Sequence, residues 1–175
     1  MGQDKLGLPW RGTTILETTI KCWTAVTELD GILLVRRHHH ATEQWPRVQL
    51  LVNPNPDEGM GGSLRLAAEA LPPDTEAVVI GLADMPEIAP GTISALIAAW
   101  RPLGIRGIVA PEFDDRRGHP VIFGAGHFPA LRELSGDQGA RSVIQRCAAD
   151  LLLVPVDDPG VIVDLDTPSD LEARS

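Results

Sequence analysis

Short apolar runs that stop abruptly at turn residues recur along this chain, and helix-length amphipathic segments separate them. Residues 31–35, 49–52, 77–82, 107–110 and 120–123, with the runs LLLVPV from Leu151 and VIVDL from Val161, have the length and apolar character of buried strands. Residues 14–26 carry Ile15, Leu16, Ile20, Trp23 and Val26 at helical spacing, and residues 63–71, 94–100, 128–134 and 140–149 also predict helices. A final short helix is expected to open at Thr167 and Pro168, where Thr167 and Asp170 have capping-box spacing. Strands alternating with crossover helices predict an α/β fold with a mostly parallel sheet covered on both faces. No internal repeat or linker interrupts the pattern, so residues 1–175 are expected to form one domain.

Composition bounds the function. A chain of 175 residues is long enough to bury a core, and 43% hydrophobic with 22% charged residues is the balance of a water-soluble globular protein. The net charge of -9 argues against broad nucleic-acid binding, which needs a basic footprint. Cys22 and Cys147 lie in helix-like segments without CxxC spacing, which fits a reducing cytoplasm. No apolar stretch approaches the roughly 18 residues of a spanning helix, and the N-terminus lacks the apolar core of a signal peptide.

The run AVVIGLADMP ends on Asp84, followed by Met85 and Pro86, which puts one carboxylate at the carboxyl end of a buried strand. Ligands of open α/β sheets bind in the crevice beyond those ends, so Asp84 is placed either to hold a metal ion or to cap the turn before Pro86. In DEGMGGSLRLA, Gly59, Gly61 and Gly62 precede a helix whose free amides suit a phosphate or sugar; a flexible turn capped by Ser63 explains them equally. Asp164 and Asp166, two residues apart at the end of an expected strand, point the same way. If that strand lies beside the one carrying Asp84, Asp166 and Asp84 can share a divalent cation, for which hard oxygen ligands suit Mg²⁺.

The run His38-His39-His40 reads as a solvated loop, because consecutive residues cannot all face one ion. His119 sits between Gly118 and Pro120 at the mouth of a strand, as a donor to a phosphate or pterin-like ring or as a structural turn residue. Arg141, after the turn GDQGA, is an anion clamp or a surface residue.

Together, MGQDKLGLPW, NPNPDEGMGGSL, GLADMP, RRGHPVIFG, GDQGAR, VPVDDPG and DLDTPSDL resemble the MobA-like nucleotidyltransferases in order and spacing, most closely their molybdenum cofactor cytidylyltransferase branch. The resemblance covers essentially the whole chain. It implies a Rossmann-like nucleotidyltransferase fold, a three-layer sandwich, and Mg²⁺-dependent transfer of CMP from CTP to molybdopterin with release of pyrophosphate. It further implies a cytoplasmic enzyme with a molybdenum hydroxylase as downstream partner. Other MobA-like specificities, with GTP or a sugar or alcohol phosphate, stay open, as does a non-catalytic molybdopterin-binding partner of such a hydroxylase.

By the same resemblance, Lys5 matches the lysine that contacts the nucleotide phosphates and Asp84 the Mg²⁺-binding aspartate. Asp166 matches the second metal carboxylate, with Asp164 competing. Gly61, Gly62 and Ser63 match a loop on the nucleotide or acceptor side and His119 the pocket-facing residue of the GHP turn; Arg141, as an anion clamp, is counted with the nucleotide- or acceptor-binding candidates. Family members begin with a strand and a glycine-rich loop LAAGxSxRMG, and this sequence starts at the Met1-Gly2 that closes it. Gly2 is thereby assigned to the nucleotide site. The first strand of the pattern is absent, and a start codon assigned too late is the favoured explanation. The 175 residues alone are therefore expected to be poorly stable and to bind CTP weakly.

Overall fold

The computed structural model describes residues 5–37 and 44–165. Gly2, His38, His39, His40, Asp166 and the helix expected at Thr167 and Pro168 lie outside the described residues. A hairpin of β1 (Pro9–Trp10) and β2 (Thr13–Thr14) leads into α1 (Ile15–Thr24). Thr14 caps that helix reciprocally: the Glu17 amide donates to Thr14 Oγ1 at 3.1 Å, and the Thr14 amide donates to the Glu17 carboxylate at 3.3 Å. The inward face of α1 is the apolar stripe Ile15, Leu16, Ile20 and Trp23, as its spacing predicts.

β3 (Ile32–Arg36) and β4 (Val48–Val52) pair in parallel, followed by α2 (Gly59–Glu69), β5 (Ala77–Ile80) and α3 (Pro90–Trp100). β6 (Ile108–Phe113) turns through Asp114 and Asp115, both at positive φ, into the two-residue β7 (Arg116–Arg117). β8 (Val121–Gly124), α4 (Phe128–Arg132), α5 (Arg141–Arg146) and β9 (Leu151–Pro155) complete the order. No described helix is long and apolar enough to cross a membrane.

The main sheet runs β5-β8-β6-β7, with β9 also on β6. β9 is parallel to β6, but β8 lies antiparallel to both β5 and β6. The sheet is therefore mixed rather than mostly parallel. The physical reason is local: the chain turns back on itself through β7, so β8 enters the sheet from the opposite end.

Alternating residues build the layers. Val78, Ile80, Ile108, Ala110, Val121 and Phe123 face a core made with α2, α4 and α5. Ala77, Val79, Val109 and Ile122 face another, made with Trp23 of α1 and with Ile93, Leu96 and Ile97 of α3. This period of two on a sheet covered by helices on both sides is the expected three-layer α/β sandwich. Leu16 and Ile20 of α1 pack on Leu34 of β3, so α1 bridges the β3–β4 pair and the main sheet. Among the described residues no backbone ladder joins β3 or β4 to β5.

Several expected elements shift: the helix expected over 94–100 starts at Pro90, and that expected over 140–149 ends at Arg146. The helix expected from Ser63 starts at Gly59, so Ser63 is an interior residue rather than its cap. The run from Val161 is not a strand: Pro159–Ile162 forms a 3₁₀ turn, because Asp158 caps it by accepting from the Gly160 amide at 3.0 Å. The Val161 carbonyl accepts from His119 N at 2.8 Å, which fixes the turn against the mouth of β8.

Candidate active site

Asp84 emerges four residues beyond β5, at the carboxyl end of that strand. Lys5 Nζ donates to its Oδ2 at 2.6 Å, bringing together residues 79 positions apart. The lysine side chain is 39% exposed and the carboxylate 17%, so the pair lines an open crevice rather than the core. Around it the backbone is tied down. Thr19 Oγ1 donates to the Ala83 carbonyl at 2.9 Å, and the Leu165 amide donates to the Asp84 carbonyl at 3.0 Å. The second contact brings the segment carrying Asp164 beside Asp84, although that segment is not a strand.

His119 completes the arrangement. Burial holds its imidazolium form below the ordinary value of 6.5; the Ile80 carbonyl opposes that shift, Arg117 adds to it, and Asp84 and Asp164 oppose it. The ring therefore sits among the two carboxylates in its neutral form at pH 7. Its Nδ1 is buried with no hydrogen-bond partner, which in a native site calls for a ligand group or an ordered water. Gly118 has to be glycine here, since a Cβ would collide with the Val161 carbonyl.

A second set of expected residues gathers elsewhere. Gly61 and Gly62 are buried in the first turn of α2, where a Cβ on Gly61 would lie 2.7 Å from the Ser135 carbonyl carbon and 2.8 Å from the Gly136 oxygen. The absent side chain of Gly61 lets α2 pack directly on Ser135 and the start of the GDQGA turn, whereas a Cβ on Gly62 would press on Glu58 at 3.1 Å. Ser63 Oγ accepts from Asn53 Nδ2 at 3.1 Å. Arg141 is exposed at the first position of α5, two residues beyond Gly139, which packs on Met60. The structure thus joins Lys5, Asp84, His119 and Asp164 in one cluster, and α2 with the GDQGA turn in another.

Several residues around the site escape sequence reasoning. Arg11 stacks on Trp10 at 4.8 Å and pairs with Glu87 at 2.7 Å, clamping the segment that carries Lys5 to the turn that carries Asp84. Buried Asp158 accepts from the Ala89 amide at 3.0 Å and from Thr92 Oγ1 at 2.6 Å, which holds the start of α3. Only the acidic turn VDDPG hinted at it. Asn53 is buried and closes its own turn by accepting from the Asn55 amide at 2.9 Å; the NPNP string was its signal.

A lysine–carboxylate pair thus stands beyond the carboxyl end of a strand in a sheet covered by helices on both sides, the place where α/β folds bind their ligands. The chain belongs to the MobA-like NTP transferase family: residues 1–159 match the MobA-like NTP transferase domain. It is 31% identical to the purine catabolism protein PucB of Bacillus subtilis, over 98% of this chain and 88% of that protein. It is 28% identical to the molybdenum cofactor cytidylyltransferase of Escherichia coli, over 97% of this chain and 86% of that protein. Among solved structures, a Mycobacterium tuberculosis protein in complex with manganese superposes with a TM-score of 0.80 at 26% identity, covering 98% of this chain and 91% of that one. The protein is a nucleotidyltransferase of this family.

Proposed function

We propose that this nucleotidyltransferase moves CMP from CTP onto the terminal phosphate of molybdopterin, with release of pyrophosphate and dependence on Mg²⁺. The observation that carries the reading is the 2.6 Å contact of Lys5 with Asp84, beside Asp164 and the unpartnered ring nitrogen of His119. Similarity to a molybdenum cofactor cytidylyltransferase supports the choice of nucleotide and acceptor.

The charge balance supports a divalent cation. Around His119, two carboxylates, Asp84 and Asp164, face two cations, Lys5 and Arg117. Such a set is already neutral, so a triphosphate entering it needs further positive charge. The hard oxygens of Asp84 and Asp164 fit Mg²⁺ or Mn²⁺, and Asp166, which the DTPSDL motif marks as the second metal carboxylate, competes with Asp164 for that role. Held there, the metal would offset part of the triphosphate's negative charge and polarise the phosphoryl group under attack.

The residues of the chain do the rest. Lys5, released from Asp84, follows the negative charge that develops on the α-phosphate oxygens. His119, held neutral, offers Nδ1 to a polar group of the nucleotide or acceptor without adding charge. Gly61, Gly62, Ser63 and Arg141 are proposed to line the second substrate's side, and Gly2 to reach the nucleotide. An acceptor phosphate oxygen attacks the α-phosphorus in line, the bond from that phosphorus to the bridging oxygen breaks, and the electron pair leaves with pyrophosphate. No covalent enzyme intermediate is required. A molybdenum hydroxylase is the proposed recipient of the product.

Pyrophosphate release tests the reading. The expected result is release with CTP, molybdopterin and Mg²⁺, little with GTP or ATP, and none for Asp84→Ala. Release with GTP or with a sugar phosphate as acceptor would move the protein to another MobA-like specificity. Molybdopterin binding without release from any nucleotide would make it a non-catalytic carrier. If Asp164→Ala abolishes release and Asp166→Ala does not, Asp164 is the second metal carboxylate.

A further inference from the structure

A second cluster of ligand-type side chains lies at the opposite end of the main sheet. β8 is antiparallel to β5, so His119, just before β8, lies at the Asp84 end, while His127, three residues after it, lies at the other. Four strand residues separate the two ends by roughly 13 Å. At that far end, one donor atom each from His127, Cys147 and Asp150 lies within 4.8 Å of the other two.

Three independent turns meet there. His127 ends the 3₁₀ turn Ala125–His127 and is 6% exposed, its ring set edge-on to Phe123 at 6.3 Å. Cys147 follows α5, and the Asp150 amide donates to the Cys147 carbonyl at 2.9 Å, closing the turn that leads into β9. The third turn is the 3₁₀ segment Arg101–Arg106, whose last carbonyl lies 2.8 Å from His127 Nε2. Asp150 Oδ2 lies 3.8 Å from the same nitrogen.

We infer that His127, Cys147 and Asp150 form a binding site for a borderline divalent ion of the zinc class, separate from the nucleotidyl-transfer site. One nitrogen, one sulfur and one oxygen donor are the mixed set that such ions accept. Metal–ligand bonds of about 2.0–2.3 Å imply donor spacings of roughly 3.3–3.8 Å, so the site closes by about 1 Å on binding. Before the ion binds, His127 Nε2 donates to the Arg106 carbonyl; the ion takes the place of that proton, which moves to Nδ1, and of the thiol proton of Cys147. Its effect is to staple the turns of His127 and of Cys147–Asp150 at the amino ends of β6 and β9. The Arg106 guanidinium, 3.8 Å from Asp150, competes with the ion for that carboxylate.

Cobalt(II) distinguishes this site from any carboxylate site at Asp84, because only a thiolate ligand gives sulfur-to-cobalt charge-transfer absorption. The full 175-residue protein, titrated with Co²⁺ and then with Zn²⁺, is expected to develop that band and lose it as zinc displaces cobalt. The band should persist in Asp84→Asn and vanish in Cys147→Ser. His127→Gln and Asp150→Asn should weaken zinc binding beyond the about 10–100-fold effect of losing an outer-shell partner, whereas Arg106→Gln should tighten it. Circular dichroism of each variant separates loss of a ligand from loss of the fold. Absence of the charge-transfer band in the folded wild-type protein, or its persistence in folded Cys147→Ser, overturns the assignment and leaves His127 as a hydrogen-bond partner of Arg106.

Discussion

Lys5 and Asp84, 79 residues apart in the chain, meet through a single 2.6 Å contact between Nζ and Oδ2. Both side chains keep access to solvent, so their mutual attraction adds only about 0–1 kcal/mol to stability. Asp84→Asn should therefore abolish nucleotidyl transfer, and Lys5→Met should lower kcat by roughly 10²–10³-fold, the usual cost of losing one charge-stabilising donor. Thermal melts should change little in either variant. Steady-state pyrophosphate release alongside melting curves checks both halves of the expectation.

His119 should give the protein an acid-sensitive term. Burial lowers its proton affinity in the folded state below the ordinary value of 6.5, so under acid the unfolded chain binds the extra proton first. The stabilisation is complete above that ordinary value and is lost as pH falls through the depressed folded value. On going from about pH 7.5 to about pH 5.5, wild-type protein should lose more melting temperature than His119→Gln, which cannot take up that proton. Equal losses in the two proteins would remove His119 as the source.

Asp158 is expected to be a stability residue. Its buried carboxylate accepts from Ala89 N, Thr92 Oγ1 and Gly160 N, and Asp158→Ala leaves those donors without it. Each donor left buried and unpaired costs about 1–3 kcal/mol. Denaturant unfolding should report a loss of at least about 2 kcal/mol, with an unchanged dependence on denaturant concentration.

Gly61→Ala should destabilise the join between α2 and the GDQGA turn. The new methyl would land 2.7 Å from the Ser135 carbonyl carbon, against backbone that no side-chain rotation relieves. Overpacking of this kind costs about 1–3 kcal/mol, which at this chain length is a fall of about 2–4 °C for each kcal/mol. Gly91→Ala, where a Cβ meets nothing within 4 Å, is the matched control.

Cys22 should resist alkylation. Burial, followed by the nearby Asp158, pushes its thiol up to about 11, and Sγ donates to the Ile88 carbonyl at 2.8 Å. At about pH 8 the thiolate fraction is then about a hundredfold below that of a free cysteine. Mass-spectrometric mapping after timed iodoacetamide treatment should find Cys22 unmodified in native protein and modified after denaturation.

The sequence by itself determined the layers and one end of the site. Short apolar runs mark strands buried on both faces, and the helical spacing of Ile15, Leu16, Ile20 and Trp23 marks the inward stripe of α1; which strand residue faces which core follows from the structure. Asp84 was legible for a related reason: an apolar run that ends on a carboxylate must deliver it to the end of a strand. Local patterns carry no record of which distant segments meet. Only the tertiary structure decided that Lys5 reaches Asp84, that Leu165 brings Asp164 beside it, and that Gly61 serves close packing against residues 135 and 136. It also decided that residues 159–162 coil into a turn instead of a strand, because Asp158 and His119 take up the Gly160 amide and the Val161 carbonyl through hydrogen bonds no periodicity encodes. Strand periodicity is a property of neighbours in sequence, whereas a site is made by neighbours in space.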